Sequence, residues 1–262
     1  MTVSIIISSC DLYSDCWKPM LLSLKENWPN SRIPIYLISN YKQSDDDRAR
    51  TIRVGEHMGW GSNLHKALRN IKTDYVLLLQ EDYFLTRPLD DIVINNHIQF
   101  CAQHDIDYLR LGEPFFDNCF TEHRDYSDNP LDKPYSLCLQ PAIWKYETLF
   151  KLTIDGWTGW DFERNITSYI KSNNISIKAR VINSHIAPEK GYNMVHGTAI
   201  RKGIWTEGGI EFLKKHGFIE EIKGRKREGK ILTVLNDIQP NSPFLWPAKV
   251  LRKTIQTVKR LW

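Results

Sequence analysis

Two periods organise the apolar positions of this chain. Short runs, Val3–Ser9, Ile33–Ser39, Asp74–Leu79 and Asp107–Leu111, read as strands, and the continuous apolar stretch Tyr75–Leu79 has the mark of a strand buried on both faces. Between them, apolar residues recur at helical spacing. Trp17, Met20, Leu21, Leu24 and Trp28 mark one helix, and Trp60–Ile71 and Leu89–His104 mark two more. The acidic loop Asp45-Asp46-Asp47 and the loop Gly59-Trp60-Gly61-Ser62-Asn63 punctuate this half. Strand and helix in alternation predict an α/β domain with a mostly parallel central sheet and helices on both faces.

The second half is less regular. Tyr135–Ile143 is apolar around Gln140-Pro141, and Trp144–Leu152 has helical character. The loop Gly156-Trp157-Thr158-Gly159-Trp160-Asp161 leads into a helix over Asp161–Ser172, and Ile175–Ile182 reads as a strand. A polar segment, His185–Trp205, follows. Residues 223–230 (KGRKREGK) read as a solvated basic linker, and Pro247–Trp262 as a final helix. These boundaries predict a domain over 1–222 and a linker with an amphipathic helix over 223–262.

Composition narrows the class. With 262 residues, 42% hydrophobic and 25% charged, the chain reads as a soluble globule. No apolar run reaches the ~20 residues of a membrane span. The start, Met1-Thr2-Val3-Ser4-Ile5, lacks a basic leader and reads as a first strand rather than a signal peptide. Five scattered cysteines without a C-x-x-C pair point to reduced thiols in a cytoplasm, not to a zinc site or disulfide frame. Charge is unevenly spread. From Lys223 onward ten Lys and Arg face two acids, a net of +8, which leaves −4 for residues 1–222 of a chain whose total is +4. A mildly acidic globule with a basic tail predicts no nucleic-acid partner and instead a docking appendage. In the last segment Leu251, Ile255, Val258, Leu261 and Trp262 share one helical face, and Lys249, Arg252, Lys253, Lys259 and Arg260 the opposite one. That is the pattern of an interfacial membrane helix; a helix packed on the globule with its basic face in solvent is the alternative.

Candidate chemistry sits where apolar runs stop. The run Tyr75–Leu79 ends in Gln80-Glu81-Asp82 and resumes as Tyr83-Phe84-Leu85. Carboxylates at the carboxyl end of a central strand lie where open α/β sheets bind ligands. Glu81 and Asp82 therefore read as oxygen ligands for a divalent cation (Mn²⁺ or Mg²⁺) and a diphosphate, or as a solvated pair. Ser9, Asp11 and Asn40, at the ends of the first two strands, offer hydrogen bonds to a nucleoside, or ordinary turn chemistry. Ser62 reads as a helix cap, and Asn63 faces nucleotide or solvent. In Trp157-Thr158-Gly159-Trp160-Asp161-Phe162-Glu163, a carboxylate beside tryptophans is a candidate general base, and Trp157 or Trp160 can stack on a sugar ring. The alternative is a helix cap by Asp161 with the aromatics in the core. His185, His196 and Arg201-Lys202 read as a loop over a diphosphate, with Arg201 or Lys202 neutralising phosphate. No P-loop, Gly-x-Ser-x-Gly or Rossmann glycine signature is present.

The order of these parts resembles bacterial GT-A-type glycosyltransferases of surface-polysaccharide gene clusters (lipopolysaccharide O-antigen, capsule). Two strand ends, QEDYFL, the segment Ser136–Trp144 and the W-D-F-E run carry the likeness over roughly residues 1–210. Position 80 is Gln, a departure from Asp-x-Asp. The resemblance implies a nucleotide-sugar donor, most simply a UDP-sugar, held by Ser9, Asp11 and Asn40. It implies metal or diphosphate at Glu81 and Asp82, a base at Glu163 or Asp161, and an acceptor side lined by Gln140 and Trp144. The acceptor implied is a lipid-linked oligosaccharide at the inner face of the cytoplasmic membrane, where the enzyme is peripheral, with inversion at the anomeric carbon. The competing expectations are a sugar-phosphate nucleotidyltransferase and a non-catalytic carbohydrate-binding protein.

Overall fold

The structure, a computed structural model, describes residues 1–112, 124–183, 188–195 and 198–228. They fall in two compact units, Met1–Met194 and a second beginning at Val195. The C-terminal segment 247–262, His185 and His196 lie outside the described residues.

The first unit is built on an eight-stranded sheet. Its strands are β1 (Val3–Ser8), β2 (Ile35–Ser39), β3 (Ala49–Arg53), β4 (Tyr75–Gln80), β5 (Tyr108–Arg110), β6 (Tyr126–Asp128), β7 (Ala142–Lys145) and β8 (Ala179–Ile182), in spatial order β3-β2-β1-β4-β7-β5-β8-β6. Only β7 and β6 run against the rest, so the sheet is mostly parallel, as the alternation predicts. The cause is visible in β1 and β4. Ile5, Ile6 and Ile7 pair with Leu77, Leu78 and Leu79, and all six are fully or almost fully buried. Each such side chain contributes about 1.5–3 kcal/mol by leaving water.

Helices cover both faces. They are α1 (Trp17–Asn27), α2 (Trp60–Leu68), α3 (Asp91–Gln103), α4 (Tyr146–Leu152) and α5 (Gly159–Ser172). On one face α2, α4 and α5 enclose Ile6, Ile38, Val76, Leu78, Tyr108 and Trp144. On the other, Leu21 and Leu24 of α1 lie beside Ile5. Two capping choices fix the ends. Asp90 accepts from the Ile92 amide at the start of α3, and Thr158 and Asp161 form a reciprocal capping box at the start of α5.

Three expectations change here. Trp144 is not in a helix: it sits in β7, between β4 and β5, with α4 starting at Tyr146. Ser62 does not cap α2; Gly59 is at the cap, and the Ser62 hydroxyl accepts from the Gly156 amide at 2.8 Å. The edge strand β3 occupies Ala49–Arg53, just past the acidic loop, where no strand was expected.

The second unit holds a hairpin, β9 (Ile200–Arg201) and β10 (Ile204–Trp205), and helices α6 (Glu207–Lys215) and α7 (Ile219–Lys223). Lys202 and Gly203 both have positive φ, the backbone a two-residue hairpin turn of primed type needs.

Candidate active site

At the carboxyl edge of the sheet, β1 has β2 on one side and β4 on the other, so the connections diverge there. This is the switch point at which open α/β sheets leave a crevice. Ser9, Asn40 and Glu81 continue the ends of these three strands.

Asp11 and Asn40 lock this edge. The Asp11 carboxylate accepts from the Asn40, Tyr41 and Lys42 amides at 2.9–3.3 Å. The Asn40 side chain accepts from the Asp11 amide at 3.3 Å and donates to Gly55 O at 2.8 Å. Ser9 Oγ accepts from the Trp17 indole at 2.8 Å. Asn63 is spent similarly: its Oδ1 takes the Met58 amide at 3.2 Å, and its Nδ2 meets His57 Nδ1 at 2.8 Å. These four side chains shape the crevice through the loops they tie.

The acid pair differs from expectation in burial. Glu81 and Asp82 are only 8% and 9% exposed, not solvent-facing. Burial first, then opposed by two backbone amides and reinforced by the charges of Glu81 and Asp11, raises the Cys10 thiol, which places Glu81 near the end of β1. Tyr83 gathers the rest. Its phenol is pushed well above the ordinary value, first by burial and then by Asp82, Cys138, Glu163 and Glu81. The charges of Glu81, Asp82 and Glu163 all act in the same direction on this buried phenol. The Tyr83 carbonyl in turn accepts from Tyr192 Oη at 2.8 Å.

Glu163 and Asp161 separate cleanly. Burial raises the Glu163 carboxyl above the usual carboxylate value, against the Leu139 amide it accepts at 2.8 Å and the charges of Arg110 and Arg164. Asp161 is lowered by its bonds to Thr158 and serves the cap. Asp161 thus fills the capping role that was the alternative reading of this run.

Behind Glu163 lies Arg110, whose place in an apolar strand, Tyr108-Leu109-Arg110-Leu111, is the sequence signal that was passed over. It is 0% exposed and donates to Asn129 Oδ1 at 3.2 Å and to Ser136 O at 2.9 Å. Its neighbour Tyr135 holds positive φ, a strain of order 1–3 kcal/mol, while its amide donates to Glu163 O at 2.9 Å. The segment 135–139 is thus fastened to both residues.

The aromatic candidates divide. Trp144 is fully buried against Tyr108 and Phe162, with ring centroids 4.5 and 6.1 Å away, so it cannot line an acceptor site. Trp157 is half-buried with its edge on Tyr169. Trp160 is 55% exposed, with the Arg164 guanidinium 5.6 Å from its ring centre. Gln140 stands immediately before β7 at the carboxyl edge. Arg201, in the second unit, has its guanidinium 3.3 Å from the buried Glu228 carboxylate.

Among the described residues no three His, Cys, Asp or Glu side chains gather into a metal cage. Two carboxylates completed by substrate phosphates are a common magnesium arrangement, and Glu81 and Asp82 are the adjacent acids that would supply them here.

No protein-family model matches the chain, and no curated protein matches it. Among solved structures, it is similar to S. aureus TarS 1–349 (14% identity, TM-score 0.46, covering 69% of this chain and 58% of that one). The same TarS fragment in complex with UDP-GlcNAc aligns at 13% identity and TM-score 0.48, covering 69% and 56%. A cytidylyltransferase from Leptospira borgpetersenii serovar Hardjo-bovis aligns at 14% identity and TM-score 0.40, covering 68% and 74%. The chain spans less than two thirds of the length of these TarS chains.

Proposed function

We propose that this protein is a glycosyltransferase that moves a sugar from a nucleoside-diphosphate donor, a UDP-sugar in the simplest case, to a glycan acceptor hydroxyl with inversion. The observation that carries the reading is the buried acid pair Glu81 and Asp82 where β4 ends at the sheet's switch point; Glu163, bonded to the Leu139 amide, is the candidate base that burial raises.

In this reading Glu163 accepts the proton of the acceptor hydroxyl. The hydroxyl oxygen forms a bond to the anomeric carbon, and the bond from that carbon to the diphosphate breaks, leaving the electron pair on phosphate oxygen. A base poised above the ordinary carboxylate value is better matched to a hydroxyl proton than Asp161, whose acidity is increased. Glu81 and Asp82 would hold a Mn²⁺ or Mg²⁺ ion, whose charge would neutralise the departing diphosphate. Ser9, Asp11, Asn40 and Asn63 set the walls of the nucleoside pocket. Trp160 offers its exposed ring to a sugar face, and Arg201 and His185 remain candidates for the donor and acceptor loops.

The acceptor proposed is a lipid-linked oligosaccharide of surface-polysaccharide synthesis, met at the inner face of the membrane. The support is the segregation of basic and apolar residues in the sequence 247–262. Among the described residues no helix is long and apolar enough to cross a membrane.

The test is a thermal-shift screen of nucleotides and nucleotide sugars with and without manganese, followed by hydrolysis of the best donor. A rise in melting temperature with one nucleotide sugar and slow release of its nucleoside diphosphate support transfer. Release of pyrophosphate from a nucleoside triphosphate and a sugar phosphate would identify a nucleotidyltransferase instead.

A further inference from the structure

The last row paired across the middle of the sheet is Leu78, Ala142, Arg110 and Val181, on β4, β7, β5 and β8. Two residues further toward the carboxyl edge come Gln80, Gln140, Gly112 and Asn183. A two-residue step returns to the same face of a pleated sheet. That face is the one on which Leu78, Ala142 and Phe162 of α5 pack, so the row looks toward the helix that carries Glu163.

Its three amide side chains share a peculiarity. Gln80 Nε2, Gln140 Oε1 and Asn183 Nδ2 are buried and find no hydrogen-bond partner among the described residues. Such groups are rare in folded proteins, because each forfeits its hydration without return. Gly112 belongs to the arrangement: a Cβ there would stand 2.8 Å from Gln140 Oε1, so its bare backbone is the floor on which that amide rests. Two donors and an acceptor, at neighbouring positions just past the carboxyl edge of the sheet, suit a ligand whose neighbouring groups each both donate and accept. Vicinal hydroxyls on a ring do this.

We infer that Gln80, Gln140 and Asn183 form a shelf that reads the hydroxyls of a sugar ring, with Gly112 keeping it open; the inference rests on the sugar-transfer reading. The ring is the donor's transferred sugar or the acceptor's terminal sugar. A site whose buried amides are left unpaired by the wrong ligand discriminates by that penalty.

Saturation-transfer NMR on the full chain tests this, with UDP-glucose, UDP, and methyl glucoside and its deoxy analogues added over UDP. The expected result is saturation of sugar ring protons in the wild type and about tenfold weaker sugar binding in Gln80→Met, Gln140→Met and Asn183→Leu, with uridine protons unaffected. Loss confined to UDP-glucose ring protons assigns the shelf to the donor; loss confined to methyl glucoside assigns it to the acceptor. Gly112→Ala should reproduce the Gln140→Met effect by displacing its amide. Because Gln80 Nε2 and Gln140 Oε1 are buried without a partner among the described residues, the Met variants should melt at or above the wild-type temperature. Wild-type sugar binding in all variants, or a melting temperature lowered by several degrees, would overturn the inference. Glu163→Gln should keep ring saturation while losing transfer, so a chain that binds rings through the shelf yet transfers nothing would sink only the proposed reaction.

Discussion

Glu163 is held by a balance that single substitutions can tilt. Burial raises its carboxyl, while the Leu139 amide and the charges of Arg110 and Arg164 hold it down. A base works only when deprotonated, so transfer should rise with pH through a limb lying above the ordinary glutamate value of 4.5. Removing a cation that favours the carboxylate, as in Arg110→Met, should move that limb to higher pH; a pH profile of kcat/KM reads it directly. Glu163→Gln keeps an oxygen for the Leu139 amide and removes a buried charge. It should lower the transfer rate by about 10²–10⁴ with donor affinity little changed. Donor titration beside single-turnover rates separates the two. Asp82→Asn, nearly isosteric, should abolish transfer with an unchanged circular dichroism spectrum. Persistence of wild-type activity in EDTA would remove the cation from the scheme and leave the pair another task.

At the scale of elements, packing between backbones sets the position of α5 and hence of Glu163. A side chain on Gly61, at the start of α2, would run into the Ile154 carbonyl, in the turn that precedes α5. Gly61→Ala should therefore destabilise the fold by roughly 1–3 kcal/mol through overpacking, visible as a lower melting temperature. The buried parallel strands were legible in sequence because Val3–Ser8 and Tyr75–Gln80 are apolar throughout. Trp144 misled for a physical reason. β7 is four residues long and runs without a break into α4, so its local pattern continues that of the helix, and only pairing with distant β4 and β5 makes it a strand. β3 escaped because an edge strand carrying Arg50 and Arg53 has no apolar run to show. The acid pair and the W-D-F-E run were legible as interruptions of apolar segments. The unpaired amides were not, since an Asn or Gln looks alike in sequence whether or not it has a partner.

For the molecule as a whole, two conditions modulate stability and placement. His97 of α3 is buried, its Nε2 donating to Lys190 O at 2.8 Å and its Nδ1 lying 2.9 Å from Tyr126 Oη. Burial lowers its folded value below the ordinary 6.5. The unfolded chain then binds the proton more readily, so stability is full above 6.5 and is lost as pH falls toward the folded value. Melting temperature should drop below that pH, with a shallower slope in His97→Gln. Placement is read by co-sedimentation. Deleting 247–262 should release the protein from anionic liposomes, and binding of the intact chain should weaken with salt as charges are screened over ~8 Å at physiological ionic strength. Equal pelleting of both forms would separate that segment from the membrane.

The insertion of β7 between β4 and β5 also dictates an order of assembly. As the chain emerges from the ribosome, β1 to β4 can pair at once. β5 has no place beside β4, because the strand that joins them is made later, after 113–123 and β6. Until β7 arrives, Tyr75-Val76-Leu77-Leu78-Leu79-Gln80 is an apolar edge with open amides and carbonyls, the kind of ribbon that recruits a second copy of itself. The candidate crevice and an aggregation-prone edge of the nascent protein thus share one strand. Slowing translation between β5 and β7 should lower the soluble yield, while a chaperone that shields strand edges should restore it.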